Sequence, residues 1–330
     1  VVTRGKEKIE EIPLENLQQL VLAGYTSLSG AVLNTLINQR VETVLLDSRF
    51  RFRARLHLDE HKHVQRRTAQ YCKLTDPAFA LKTARMIVQA KLRHQARLLQ
   101  LRGRQHKDEP LLALAAAVRT IAGSLERADS MELLRGAEGQ GSRLYFQGFG
   151  RMVRHQEFAF SGRNRRPPLD PVNALLSFCY TLLTNEVLTA IKIAGLDPYL
   201  GSLHEPAYGR PSLACDLVEE WRTFLCDRFI LGLINRGTLQ RSDFVYRKIS
   251  NTDFVDEEDL KQKRPVEMKP RTRQAFLQGY EQWMQKTVRH PQDKDQTTHR
   301  RVILRQVHQF RKYLLEELEK YEPFPWSGMR

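Results

Sequence analysis

Cysteine is scarce in this chain, and long apolar runs are absent from it. The four cysteines stand singly along 330 residues, without a CxxC pair. This pattern excludes a zinc ribbon and a dense disulfide framework, and it is typical of a protein from a reducing cytoplasm. No run of about 18 apolar residues offers a membrane span, and the opening Val1-Val2-Thr3-Arg4 lacks the apolar core of a signal peptide. We therefore expect a soluble, cytoplasmic protein with no membrane partner.

Acidic residues are outnumbered by basic ones. The sequence has 53 Lys and Arg against 38 Asp and Glu, which gives a formal net charge of +15. A positive surface potential favours a polyanion, so nucleic acid is the first partner to consider. Charge alone is equally compatible with an unspecialised basic protein. Because 41% of the residues are hydrophobic, the chain can bury a sizeable core, and its length favours two domains.

The first segment of the chain alternates short apolar runs with glycine and asparagine. Residues 20–23 and 41–46 predict strands, and residues 31–37 predict a short helix between them. In the stretch 49–56, arginines alternate with apolar residues, so a strand would present four guanidinium groups on one face. Such a strip fits a phosphate-facing or partner-facing surface, or equally the ordinary solvated face of a half-buried strand.

Beyond Asp76-Pro77 the spacing of apolar residues changes to that of helices. It predicts helices over residues 79–98, 111–126, 143–152, 171–195, 213–235, 271–288 and 297–320, with one short strand over 243–249. The glycine-rich run 136–141 is predicted to precede the third helix as a break. Asp170, followed by Pro171, is expected to cap the fourth helix, and Ser212 the fifth. The predicted fold class is therefore α+β.

Two of these helices and the loop between them carry a candidate metal site. Glu186 lies on a largely apolar helix, where an ionised carboxylate is costly unless a cation or hydrogen bonds meet it. His204 follows in a glycine-bounded loop, and Asp216 and Glu219 share one face of the next helix. Singly, each has an ordinary explanation: a surface histidine, or a solvated acidic pair that Arg222 neutralises.

Taken together, residues 186–219 offer a stronger pattern. Two helices joined by such a loop can pack antiparallel and bring these side chains together. Carboxylates with one imidazole form a hard, mainly oxygen site, which suits Mg²⁺ or Mn²⁺ better than structural zinc. Such an ion neutralises charge on a scissile phosphate and lowers the pKa of a coordinated water or 3′-hydroxyl. The metal would therefore be catalytic.

Arginines flank the candidate site in the sequence. Arg163, Arg165 and Arg166 lie in an exposed loop that ends in consecutive prolines, just before the helix of Glu186. Arg210 lies close to the His204 loop. We predict that some of these side chains contact DNA phosphates, which would make the affinity depend on salt. The alternative is that one or two of them only brace the fold.

Several short motifs occur in an order and spacing that resemble a known family. They run through Gly162-Arg163-Asn164-Arg165-Arg166-Pro167-Pro168, Asp170-Pro171-Val172-Asn173-Ala174, Tyr180, Leu183, Glu186, Gly195-Leu196-Asp197-Pro198, Leu203-His204, Gly209-Arg210, Ser212-Leu213-Ala214 and Asp216-Leu217-Val218-Glu219. Weaker similarity extends over nearly the whole chain, for example at Ile12-Pro13-Leu14 and Ala90-Lys91-Leu92. The sequence resembles the CRISPR-associated integrase and endonuclease of the spacer-acquisition, or adaptation, machinery.

The resemblance implies a domain organisation and a set of ligands. A small β-rich N-terminal domain, residues 1–70, would pair with its copy in a homodimer. A linker at 71–78 would lead to a larger, mostly α-helical catalytic domain, residues 79–330. Matching positions assign Glu186, His204 and Glu219 as ligands of Mg²⁺ or Mn²⁺. Asp216 would lie beside them, either binding the metal or orienting a ligand or water.

The resemblance also implies a prokaryotic protein, a reaction and its partners. The 3′-hydroxyl of a short incoming fragment would attack a phosphodiester at the edge of a CRISPR repeat, with double-stranded DNA and the small second core adaptation protein as partners. Two alternatives stay open: a stand-alone metal-dependent nuclease or junction resolvase that uses water, and a non-catalytic DNA-binding scaffold. The opening strands of the family's N-terminal domain are missing, so we expect a truncated start or one part of a fusion.

Overall fold

The computed structural model divides the chain into two compact units, Val1–Val64 and Gln65–Arg330. It describes residues 1–13, 17, 19–39, 41–47, 52–56, 63–164, 167–246, 265–289 and 296–326. Helix α2 (Val64–Thr75) lies in the second unit from Gln65 onward, where the Gln70 side chain donates to the backbone oxygens of Asp197 and Leu200. The boundary therefore lies earlier than the predicted residue 70. Most of the predicted linker, 71–78, is helical.

The first unit contains a hairpin and a small sheet. Strands β1 (Val2–Arg4) and β2 (Glu7–Glu10) pair antiparallel, whereas β3 (Gln19–Ala23), β4 (Glu42–Leu46) and β5 (Phe52–Leu56) form a three-stranded sheet. Helix α1 (Gly30–Asn38) connects the parallel strands β3 and β4. The predicted strands and helix are confirmed. Of the arginine strip, Arg49, Arg51 and the side chain of Arg55 lie outside the described residues, and Arg53 is exposed.

The second unit is built mainly from helices. They are α2, α3 (Pro77–His106), α4 (Glu109–Ser124), α5 (Met131–Met152), α6 (Pro171–Ile193), α7 (Ser212–Leu217), α8 (Glu219–Trp221), the π-helical turn Arg222–Asp227, α9 (Arg228–Asn235), α10 (Pro270–Gln285) and α11 (His299–Leu314). Two short antiparallel pairs join β6 (Phe244–Tyr246) to β7 (Val266–Met268) and β8 (Thr287–Arg289) to β9 (Gln296–Thr298). The predicted α+β class is confirmed.

Two predicted helix caps have different outcomes. Asp170 caps α6, because its Oδ1 accepts a hydrogen bond from the Asn173 backbone N–H at 2.8 Å. The cap predicted at Ser212 is wrong. Ser212 is the first residue of α7, and its hydroxyl instead donates to the backbone oxygen of Glu205 at 3.2 Å. Ser212 thereby ties the start of α7 to the loop that precedes it.

Helix α6 is apolar enough to resemble a membrane span. Among the described helices, it alone combines the length and the mean hydropathy of one, and half of its apolar stretch is buried inside the protein. Leu175, Leu176 and Leu183 are fully buried there, and α6 packs against α11. These contacts are typical of the core helix of a folded domain.

The glycine-rich run 136–141 does not break the chain but lies inside α5. A Cβ added at Gly141 would fall 2.5 Å from Leu92 Cδ2, and one added at Gly148 would fall 2.4 Å from Leu99 Cδ2. Both leucines belong to α3 and are fully buried. The glycines therefore let α5 approach α3 more closely than side chains would permit, and this gain in packing offsets their weak helix propensity.

A buried carboxylate joins α5, α6 and the π-helical turn. Asp227 accepts hydrogen bonds from the hydroxyls of Tyr145 at 2.5 Å and Tyr180 at 2.6 Å. Burial raises the pKa of Asp227 to about 6, although the two hydroxyl donors and the charges of Arg222 and Arg163 oppose the rise. The native state therefore binds this proton more tightly than the unfolded chain does.

We expect Asp227→Asn to abolish one pH-dependent component of stability. Because the folded-state pKa of about 6 exceeds the ordinary value of 3.8, the carboxyl favours folding most when protonated, and this contribution is lost as the pH rises through 6. The stability of the unmodified chain relative to the variant should therefore fall by on the order of 2 kcal/mol between about pH 4 and pH 7. Urea denaturation across this range measures the difference. Parallel pH profiles would contradict the assignment.

The close approach of α5 to α3 also predicts opposite effects for two glycine substitutions. Gly148→Ala should destabilise the protein by about 1–3 kcal/mol, since its Cβ would meet three leucines. Gly139→Ala on the same helix meets nothing within 4 Å and should stabilise the protein by about 0.5–1 kcal/mol, because alanine favours helices. Free energies of unfolding from urea titrations test both. A neutral Gly148→Ala would show that the helices are not closely packed there.

Candidate active site

A cavity of about 370 Å³ opens in the second unit where α3, α5, α8 and the loop before α7 meet. It is lined by Lys91, Arg135, Glu138, Leu203, His204, Glu205, Arg210 and Glu219. Three of these side chains, those of His204, Arg210 and Glu219, were predicted from the sequence as site residues. The cavity therefore collects ionisable groups from elements that are far apart in the chain.

Asp216 fixes the loop that carries His204. It is fully buried, and its oxygens accept hydrogen bonds from the backbone N–H groups of Ser202 at 2.5 Å, Leu203 at 2.9 Å and His204 at 3.0 Å. Its Oδ1 also lies 2.7 Å from Nδ1 of His204. Because this carboxylate favours a proton on Nδ1, the other ring nitrogen, Nε2, is left with a lone pair. Asp216 thus orients His204 and is not itself a lining residue.

Glu219 is a buried carboxylate with two cationic neighbours. Its Oε1 lies 2.7 Å from Arg222 Nη1, and its Oε2 lies 2.8 Å from Lys91 Nζ. Burial would raise the pKa of Glu219, but the charges of Arg222 and Lys91 outweigh that effect and hold the pKa at about 2. Since Asp216 and Glu219 are only 0% and 3% exposed, the alternative of a solvated acidic helix face is wrong.

Lys91 of α3 lies between two carboxylates. Its ammonium contacts Oε1 of Glu138 and Oε2 of Glu219, and its side chain is only 7% exposed. Glu138 is half-buried on α5, where the hydroxyl of Ser142 donates to the same Oε1 at 3.1 Å. The ammonium thus offsets the repulsion between a carboxylate of α5 and one of α8.

Glu186 does not belong to this group, contrary to the prediction from sequence. Glu186 is not one of the described residues that line the cavity. Its oxygens instead accept hydrogen bonds from Arg300 Nη2 at 2.7 Å and Nε at 2.9 Å, and Arg300 also pairs with Glu281. The cation that this apolar helix requires is therefore an arginine of α11. Glu138 takes the place beside His204 and Glu219 that was expected for Glu186.

The arginines of the loop before α6 differ from the expectation in part. Arg163 points into the protein, where it donates to Asn173 Oδ1 at 2.8 Å and Ser177 Oγ at 3.0 Å. Its guanidinium also stacks over the ring of Tyr180. It therefore braces the loop against α6, which is the alternative role considered above. Arg165 and Arg166 lie outside the described residues.

Two arginines do reach the cavity. Arg210 lines it and donates to the backbone oxygen of Glu205 at 3.3 Å. Arg135, which was not predicted from the sequence, donates to the Leu203 backbone oxygen at 3.0 Å and to Glu205 Oε1 at 2.7 Å. Arg135 thus holds the His204 loop from the side of α5. Both side chains place positive charge beside the acidic centre.

Comparison with known proteins now decides the family. A family model described as CRISPR associated protein Cas1 matches residues 1–282. The chain belongs to the Cas1 family. The resemblance identified in the sequence is thereby confirmed.

Relatives with known names match nearly all of this Cas1 family member. A CRISPR-associated endonuclease Cas1 from Thermus thermophilus is 36% identical over 320 residues, covering 97% of this chain and 89% of the relative. A Cas4 exonuclease/Cas1 endonuclease fusion from Geobacter sulfurreducens is 33% identical over 98% of this chain but only 56% of the fusion. The match therefore includes both stand-alone and fused relatives.

Solved structures share the fold. A casposase bound to its integration product superposes with a TM-score of 0.77 at 24% identity, over 94% of this chain and 82% of that one. A Cas1 protein from Thermotoga maritima gives a TM-score of 0.74 at 23% identity, over 92% and 88% of the two chains. The α+β architecture described above is thus the architecture of the Cas1 family.

The donors around the cavity fit a divalent metal in kind. Two carboxylates and an imidazole are ligands that Mg²⁺ and Mn²⁺ accept. In their present positions, no three described His, Cys, Asp or Glu side chains are close enough together to hold one ion. The positive charge between Glu138 and Glu219 is instead the ammonium of Lys91.

The sequence contained signals for two of the site residues that were missed, Lys91 and Glu138. Lys91 interrupts the apolar stripe of Ile87, Val88 and Leu92, and a charged residue on a buried helix face needs an ionic partner. Glu138 lies between Gly136 and Gly141, in a run that was interpreted as a loop. Small residues at helical spacing also mark a face that packs closely on another helix, and that interpretation would have placed Glu138 inside the protein.

The Asp216 contacts predict that Gly201 cannot carry a side chain. A Cβ there would lie 2.4 Å from Asp216 Oδ2 and 2.8 Å from the carbonyl carbon of Ser212. We expect Gly201→Ala to lower the free energy of unfolding by about 2–4 kcal/mol, because backbone must move. Ser202→Ala is the matched control, since it removes one weak contact at 3.3 Å and should cost under about 1 kcal/mol. Similar losses from urea denaturation of both would contradict the prediction.

Proposed function

We propose that this Cas1 family member is a metal-dependent DNA integrase and endonuclease that inserts short fragments into a CRISPR repeat. The observation that carries the proposal is the meeting of Glu138, His204 and Glu219 at one cavity, with Arg135 and Arg210 beside them. The endonuclease names of its relatives and the integration product bound to the related casposase support it. In the proposed reaction, the 3′-hydroxyl of the fragment attacks a phosphodiester of the repeat. A new bond forms to phosphorus, the bond to the 3′-oxygen of the repeat strand breaks, and that oxygen leaves as a 3′-hydroxyl that takes its proton from solvent, to which the attacking hydroxyl loses its own.

The residues of the cavity would hold Mg²⁺ or Mn²⁺ through the carboxylates of Glu138 and Glu219 and through His204 Nε2. When bound, such an ion neutralises charge on the scissile phosphate and lowers the pKa of the attacking hydroxyl. The chain itself keeps these ligands in their reactive forms. Arg222 helps to keep Glu219 ionised, and Asp216 keeps the proton of His204 on Nδ1.

Arg135 and Arg210 are the described residues best placed to meet DNA phosphates. The partner of Arg135, Glu205, has a side chain that is 74% exposed, and an exposed ion pair is weak enough for a phosphate to replace it. Arg210 bonds only to a backbone oxygen in the described structure. Contacts of this kind position DNA without distinguishing sequences. Arg165 and Arg166 remain predicted contacts of the same type.

We also propose the assemblies that the resemblance implies. These are a homodimer formed through the N-terminal domain and a complex with the small second adaptation protein. A solved Cas6-RT-Cas1–Cas2 complex supports the second proposal: one of its chains superposes on 99% of this chain with a TM-score of 0.79, although this chain spans only 34% of it.

Glu138→Gln and Glu186→Gln form a matched pair that tests the site. Each replaces a helical carboxylate with an amide of the same shape. With Mn²⁺, a labelled fragment and a supercoiled repeat plasmid, we expect Glu138→Gln to lose at least about 100-fold in strand transfer, because a proposed ligand is removed. Glu186→Gln should stay within about threefold, because the cation it loses is Arg300, which pairs elsewhere as well.

The products of the same assay separate the alternatives. Ligated fragment supports an integrase, whereas nicked plasmid without ligation supports a stand-alone nuclease. Thermal unfolding of each variant checks that it is folded. Full activity of Glu138→Gln, or an equal loss in both variants, would contradict the proposed ligand set. Unchanged strand transfer by His204→Ala would contradict the role of this cavity in the reaction, whereas an unmodified chain that binds DNA but gives neither product would support a non-catalytic scaffold.

A further inference from the structure

We infer that Lys91 is an internal counter-cation that competes with the metal ion for Glu138 and Glu219. This inference rests on the metal-dependent function proposed above and adds a residue that sets the affinity for the metal. Lys91 is buried, with 5% of its surface exposed, and both of its ionic partners line the cavity. A buried ammonium needs anionic partners to offset its desolvation, so these contacts fix its position.

The charges around the two carboxylates already balance without a metal. Glu138 and Glu219 contribute two negative charges, and Lys91 and Arg222 contribute two positive charges within ion-pair distance of them. A divalent ion added to this arrangement would leave an excess of two positive charges in a partly enclosed space. Repulsion at such short range is strong, so one of the two resident cations must withdraw before the metal binds tightly.

Lys91 is the cation that can withdraw. Arg222 is held on the other oxygen of Glu219 and stacks over the ring of Tyr180 at 4.9 Å. A planar guanidinium in such a stack is fixed more rigidly than an ammonium at the end of four methylene groups. Lys91 also contacts both proposed metal ligands at once, whereas Arg222 contacts one. Its ammonium therefore occupies the position between Glu138 and Glu219, where the electrostatic attraction for a metal ion would be strongest.

Two opposite consequences follow for the same side chain. Without metal, Lys91 stabilises the fold, because it prevents repulsion between a carboxylate of α5 and one of α8. With metal, the displaced ammonium is a nearby like charge and weakens metal binding. Removal of Lys91 should therefore destabilise the metal-free protein and tighten the metal complex. A purely structural lysine would produce the first effect without the second.

The test compares Lys91→Met with Lys82→Met, an exposed lysine of the same helix whose loss changes the net charge equally. Isothermal calorimetry measures the Kd for Mn²⁺, and thermal unfolding in chelator and in Mn²⁺ measures Tm. For Lys91→Met we expect a lower Tm in chelator, a Kd for Mn²⁺ reduced by about tenfold, and a larger rise of Tm on addition of Mn²⁺. Lys82→Met should match the unmodified chain in all three.

Lys91→Arg keeps the charge and the pairing, and it covers the case in which Lys91→Met does not fold without metal. We expect its Kd for Mn²⁺ to be no lower than that of the unmodified chain. A Kd for Lys91→Met equal to or above that of the unmodified chain would overturn the inference, as would tighter binding by Lys91→Arg. If the unmodified chain binds neither Mn²⁺ nor Mg²⁺, the metal-dependent function fails together with the inference. If the unmodified chain binds the metal and Lys91→Met binds it no more tightly, only the inference fails.

Discussion

The contact of the Lys91 ammonium with Glu138 and Glu219 is the interaction on which the candidate site depends. It links α3, α5 and α8, and it makes a buried carboxylate tolerable beside a half-buried one. A further acid of the region, Asp216, is satisfied differently, by three backbone N–H groups and an imidazole. The two carboxylates at the cavity are therefore held by an ammonium, and the one behind them by backbone donors and an imidazole.

Local patterns predicted much of the fold. The cap at Asp170 and the apolar spacing after Asp76-Pro77 located α6 and the start of α3, because both depend on neighbouring residues in the chain. The role of the glycine run 136–141 depends on which residues of a neighbouring helix face it. A glycine that faces solvent, such as Gly139, only weakens a helix, whereas one that faces a leucine of another helix lets the two helices pack closely. Leu92 lies far from Gly141 in sequence, so the local pattern did not decide between these outcomes.

The site was predicted in part for the same reason. His204 and Glu219 were found because a loop and the next helix keep them close. Glu186 was grouped with them because an acid on an apolar helix demands a cation, but the sequence does not say which one. The answer, Arg300, comes 114 residues later. Asp216 and Glu219 were expected on one helix face, but Asp216 lies in α7 and Glu219 in α8. Asp216 turns back to the preceding loop, whereas Glu219 meets Lys91 of α3.

The glycine contacts of α5 also fix its register along α3. Leu92 and Leu99 are separated by one heptad, as are Gly141 and Gly148, so two leucine knobs enter two notches in the same axial direction. If α5 slid along α3 by one residue, about 1.5 Å, each leucine would meet a position that carries a side chain. The packing of these leucine side chains against the glycines thus helps to set the distance between Glu138 and Lys91. A larger residue at Gly141 or Gly148 would therefore need a smaller one at Leu92 or Leu99 if the two helices are to keep their spacing.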